Sequence, residues 1–221
     1  MPQLNEIRFE IQMRTALQHV WANMYHDIGY KSNIEVPTEY LRTLNRLAGM
    51  LELADDEFSR IRTAISDYRY KVQNLVSSGR FDEVPLDGDS FRKYLELHPF
   101  DSLTKKIAAI NQAEIHQASS FVFLKVLLEL GFKTLGDVEK LKRDYKEAAF
   151  QLALFQIGGT DIDIVVSTIG IQDLCLVYLL KNGYGEADLT KFFNILNGQS
   201  PYNADRAKRL INQAKDMPFM Q

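Results

Sequence analysis

Apolar and polar residues alternate from residue 7 to residue 13, with Ile7, Phe9, Ile11 and Met13 on one parity and Arg8, Glu10 and Gln12 on the other. A period of two is the signature of an extended strand, one face packing and the other pointing Arg8, Glu10, Gln12 and then Arg14 into a polar space. One strand cannot stand without neighbours, and no second segment alternates as clearly. The pattern therefore predicts one N-terminal strand belonging to a sheet that these residues leave incomplete.

At Thr15 the period changes. Leu17, Val20, Trp21, Met24 and Ile28 recur at helical spacing, which predicts a helix over 15–30. His19, Asn23, His26 and Tyr30 follow at four, three and four along a different face. Lys31 and Ser32 end it, and Val36-Pro37 breaks the chain before the next element. From Pro37 or Thr38 a longer apolar series runs through Leu44, Leu51, Phe58, Ile65 and Val72 to Leu75, one long amphipathic helix or two joined at a slight break, stopped by Ser77-Ser78-Gly79.

Asp87-Gly88-Asp89 lies in the stretch 85–90, the expected boundary between an N-terminal module, 1–84, and a helical domain, 85–221. Helices are expected near 90–97, 101–117, 119–130, 135–156, 161–181, 186–196 and 204–215, separated by turn signals such as His98-Pro99, Gly131, Gly158-Gly159 and Ser200-Pro201. The fold class is mainly α: one N-terminal strand, a long helix and a helical bundle. No internal repeat, low-complexity tract or coiled-coil heptad long enough to name stands out.

Composition narrows the partners. Lysine and arginine total 26 against 29 acidic residues, so no net positive field is present to hold DNA. The hydrophobic fraction of 46% fits a globular chain. The single cysteine, Cys175, rules out an internal disulfide or a thiolate zinc site and fits a reducing, cytoplasmic setting. The apolar stretch 162–180 is interrupted by Ser167, Gly170, Gln172 and Asp173, which suits a buried helix and not a membrane span.

Glu10 is the leading candidate for chemistry. A strand edge running straight into a helix can hold a carboxylate that binds a divalent ion or accepts a hydroxyl proton, an amide (Gln12) that orients, and a guanidinium (Arg14) that neutralises phosphate. The competing reading makes Glu10 and Arg14 a solvated pair on an exposed face. His19 and His26, seven apart with no further ligands at suitable spacing, do not make a zinc site, and hydrogen-bonded structural histidines are the competing reading.

Taken together, Phe9-Glu10-Ile11-Gln12-Met13-Arg14-Thr15, then Gln18-His19, Trp21-Ala22, His26-Asp27 and Tyr30-Lys31-Ser32, resemble the closing motif of the RelA/SpoT nucleotidyltransferase family. The resemblance spans about residues 4 to 75 and is sharpest over 9–32. It implies that the N-terminal strand is a remnant of a mixed nucleotidyltransferase sheet. The implied activity is that of a Mg2+-dependent GTP pyrophosphokinase, which moves the pyrophosphate of ATP to the 3′-hydroxyl of GDP or GTP to make (p)ppGpp. By that resemblance Glu10 is catalytic and close to the metal, Gln12, Arg14, His26 and Lys31 bind nucleotide, and His19, Asn23 and Tyr30 support them.

The departure is equally specific. The family carries an ATP-binding basic segment, a metal-binding aspartate strand and a glycine-tyrosine loop upstream of this motif, and only nine residues precede Glu10 here. The expectation is a chain that is inert alone and acts on ATP and GDP or GTP when the other half completes it. The alternative is a non-catalytic helical interaction or regulatory, toxin-like module. Either reading leaves the helical region available for a homo-oligomer or a protein partner.

Overall fold

Thr15 ends the extended pattern by capping a helix. Its hydroxyl accepts the Gln18 backbone N–H at 3.1 Å, and the Gln18 side-chain oxygen accepts the Thr15 N–H at 3.1 Å. This reciprocal pair satisfies two of the donors that a helix start leaves orphaned. Helix α1 follows, Ala16–Tyr30. Helix α2, Thr38–Ser77, is a single run of 40 residues without the break left open by the sequence. It stops where Gly79 takes a φ of 71°, a conformation glycine adopts without steric cost.

The computed structural model describes residues 8, 10–30 and 37–220. The chain divides into two compact units, Met1–Tyr68 and Arg69–Gln221. The expected boundary at 84/85 falls inside the second, where Val84 and Leu86 are buried and Leu86 N–H donates to the Lys133 carbonyl at 2.8 Å. The stretch expected to link two modules is instead folded into the second unit.

In the first unit, residues 10–15 form no hydrogen-bonded strand, and Ile11 and Met13 are 74% and 89% exposed. This corrects the strand expected there, as far as the described residues reach, because alternation selects an extended backbone but only a partner supplies the ladder. Ile7 and Phe9 lie outside the described residues.

The second unit starts from well-made caps. Asp87 and Ser90 cap α3, Gly88–Leu95, through reciprocal bonds of 2.9 Å. Thr134 and Asp137 do the same for α6, Leu135–Ile157. Between them lie α4 (Asp101–Ala108), β1 (Glu114–His116) and α5 (Phe123–Glu129); β2 (Ile164–Val166), α7 (Ile169–Lys181), α8 (Glu186–Asn197) and α9 (Tyr202–Ala214) follow.

Strands β1 and β2 pair in parallel, Ile115 opposite Val165, so the connection through α5 and α6 is a crossover. Two helices were expected where these strands occur, at 101–117 and 161–181. The first helix ends at Ala108 and Gln112 turns the chain with a φ of 56° before β1, and Asp161-Ile162-Asp163-Ile164 alternates with the period of a strand before α7 begins. The remaining helices agree with expectation to within a few residues, except that a short 3-10 turn, Ser120–Val122, precedes α5.

Helices α6 and α7 pack together at the centre, with Leu135, Val138, Leu152, Ile171, Leu174 and Val177 without exposure. Close approach is enforced at Gly136: a Cβ there would lie 2.8 Å from the Asp82 Cα. Among the described residues no helix is long and apolar enough to cross a membrane.

Candidate functional site

The Thr15 cap fixes where the extended segment ends, and the side chains just before it line up. Gln12 Nε2 donates to Glu10 Oε1 at 3.3 Å, and Arg14 Nη2 donates to Gln12 Oε1 at 2.8 Å. Since Glu10 and Arg14 both reach the same amide, the three side chains share one side of the backbone, as the period-two pattern requires. All three are exposed. The Thr15 hydroxyl donates to Asp55 Oδ2, so one residue of α2 is tied to the cap.

On α1, Asn23 and His19 are one turn apart, with Asn23 Nδ2 and His19 Nε2 at 3.2 Å. His26 Nδ1 lies 3.9 Å from its neighbour Asp27 Oδ1, with both side chains more than half exposed. Trp21 and Tyr25 place their ring centroids 5.8 Å apart. The Tyr30 side chain and the whole of Lys31 lie outside the described residues. The segment thus presents two groupings, Glu10-Gln12-Arg14 ahead of the helix and His19-Asn23 within it.

Chemically, the first grouping offers a carboxylate, an amide and a guanidinium to one ligand. The guanidinium suits phosphate oxygens, and the carboxylate suits a hydroxyl proton. Mg2+ takes six oxygens, and no group of three or more His, Cys, Asp or Glu that could hold a metal occurs among the described residues. Glu10 supplies a single exposed carboxylate, and Mg2+ usually takes one or two from a protein, with phosphate oxygens and water completing its six.

A second constellation, unread in the sequence as chemistry, lies in the second unit. Asp173 on α7 has no exposure, and neither carboxylate oxygen has a hydrogen-bond partner among the described residues. Burial pushes its carboxyl up to about 8, opposed by the positive charge of Arg206 on α9. Arg206 sits 4.5 Å from the Phe193 ring centroid and, with Arg209, Gln172 and Gln213, lines a cavity of about 520 Å³ beside β2. Cys175 is buried two residues along, and its thiol is raised by burial and by the charge of Asp173. The signal for Asp173 was its place as a carboxylate inside the apolar run 171–180.

No protein-family profile, curated protein or solved structure matches this chain.

Proposed function

We propose that residues 9–32 are the closing edge of an alarmone-synthetase site, which transfers the pyrophosphate of ATP to the 3′-hydroxyl of GDP or GTP. One observation carries this reading: Glu10, Gln12 and Arg14 are hydrogen-bonded in series directly ahead of the Thr15 cap, inside the E-x-Q-x-R-T motif. Glu10 accepts the proton of the attacking hydroxyl. Gln12 orients the nucleotide, and Arg14 offsets the phosphate charge. His26 and Lys31 meet the phosphates, with His19, Asn23 and Tyr30 in support.

The reaction asks little covalent help of the protein. The 3′-oxygen bonds to the β-phosphorus of ATP as the bond from that phosphorus to the bridging oxygen breaks, and AMP leaves with the bridging oxygen. Placement and charge neutralisation therefore dominate. Magnesium belongs to this reading as the ion that accompanies the nucleotide phosphates.

The test is reconstitution. The chain alone, given ATP, GDP and Mg2+, yields no ppGpp by nucleotide chromatography. Fused behind the upstream half of a synthetase domain of the family it resembles, it yields ppGpp, and Glu10→Gln lowers the rate by about 100-fold or more. A folded fusion that makes none, or whose rate ignores Glu10→Gln, overturns the assignment.

A further inference from the structure

No sustained coiled-coil heptad was expected from the sequence, but the continuity of α2 turns its apolar series into a single register. Leu44, Leu47, Leu51, Ala54, Phe58 and Ile61 are separated by three, four, three, four and three residues, and the same alternation continues through Ile65, Tyr68 and Val72 to Leu75. An ordinary packed helix has a period near 3.6, so a stripe held at 3.5 over this length drifts around the cylinder unless a second helix coils with it.

Cover along the stripe is uneven. At its start Leu44 is buried and Leu47, Leu51 and Ala54 are half-buried within the first unit; at its end Val72 is buried in the second. Between them Phe58, Ile61 and Ile65 are 62%, 54% and 44% exposed, and all three belong to the first unit. Three consecutive seam positions with bulky apolar side chains therefore face solvent, next to each other along about 11 Å of helix.

We propose that this seam is the interface of a parallel, in-register, two-stranded coiled coil formed with a second copy of the chain. With Phe58 and Ile65 at a and Ile61 at d, Glu57 falls at g and Arg62 at e. In a parallel pair, g of one helix faces the following e of the other, so Glu57 meets Arg62 of the second copy, twice by symmetry. None of the other g–e pairings in that register sets like charges together. Glu57 is bonded to Arg60 of its own helix at 2.7 Å, an exposed pair that exchanges partners at little cost. The short uncovered length makes the dimer a weak one, set by concentration. The inference is independent of the catalytic reading.

Sedimentation equilibrium of the full chain from ~1 μM to ~1 mM tests it. A monomer–dimer equilibrium is expected within that range. Ile61→Asp leaves a monomer with unchanged far-ultraviolet circular dichroism, since the side chain already faces water. Glu57→Arg weakens the dimer about threefold to tenfold, and adding Arg62→Glu to it restores the parent affinity. A monomer throughout, a dimer indifferent to Ile61→Asp, or a doubly substituted chain no tighter than the single variant overturns the proposal.

Discussion

The two units obey the same periodic code and reach opposite ends of burial. In the second unit the helical stripes meet one another, and Phe91, Leu127, Leu152, Ile171 and Leu174 lose all exposure. In the first, the stripe of α2 is at least as regular, yet Leu44 is the one buried side chain among its described residues, while Met50, Leu53, Phe58 and Ile61 are exposed. Periodicity chooses the helix and decides which face is sticky. A core needs a second surface, and hydrophobic stabilisation follows the area removed from water, not the pattern that offers it.

The sharpest way to break this contrast is to truncate one bulky apolar side chain in each unit. Leu174→Ala should cost about 2–5 kcal/mol of unfolding free energy, because it removes a fully buried side chain and leaves a cavity. Phe58→Ala should cost about 0.5 kcal/mol or less at micromolar concentration, as befits a surface change. Urea denaturation of both variants measures the difference, and equal losses would mean that Phe58 is covered after all.

A second test asks what the second unit's core tolerates. Asp173 is held protonated by burial up to about 8, whereas an unfolded chain releases that proton near pH ~4. Between these values the native state holds a proton the unfolded state lacks, so stability falls as pH rises, by at most about 1.4 kcal/mol per pH unit, and the loss is complete once pH passes the folded value. Asp173→Asn should match the parent below pH ~4 and exceed it increasingly up to about 8, on the order of a few kcal/mol at the top. Parallel pH slopes for parent and variant in thermal melts would show that Asp173 is hydrated or paired.

The smallest effect compares the caps. Thr134→Ala should lower the global unfolding free energy by about 1 kcal/mol, since α6 is central to the core. Thr15→Ala removes the equivalent bond from α1 and the link to Asp55. It should speed hydrogen exchange in residues 16–20 while leaving the second unit's melting transition in place, since Thr15 and its partners Gln18 and Asp55 all lie in the first unit. A shift of the main transition by Thr15→Ala would join the two units energetically.

Much of this was legible along the chain. Thr15 with Gln18 three residues on, and Thr134 with Asp137, announce helix starts through local hydrogen bonds that need no distant partner. The grouping of Glu10, Gln12 and Arg14 on one side was legible for the same reason: alternation is a property of the local backbone. Strand β1 was not, since three residues carry too little period to register, and Asp161-Ile162-Asp163-Ile164 carried a period of two that was absorbed into the adjoining apolar helix.

The amino-acid order by itself determined the helices, their caps, the apolar stripes and the row of polar side chains ahead of α1, all of which arise from neighbours within a turn or two. Tertiary structure alone decided that β1 pairs with β2 across an intervening crossover, that Asp173 is sealed from water with no hydrogen-bond partner among the described residues, and that Phe58, Ile61 and Ile65 stay in contact with water. Pairing and burial are set by segments far apart in the chain, and their free energy exists only once those segments have met.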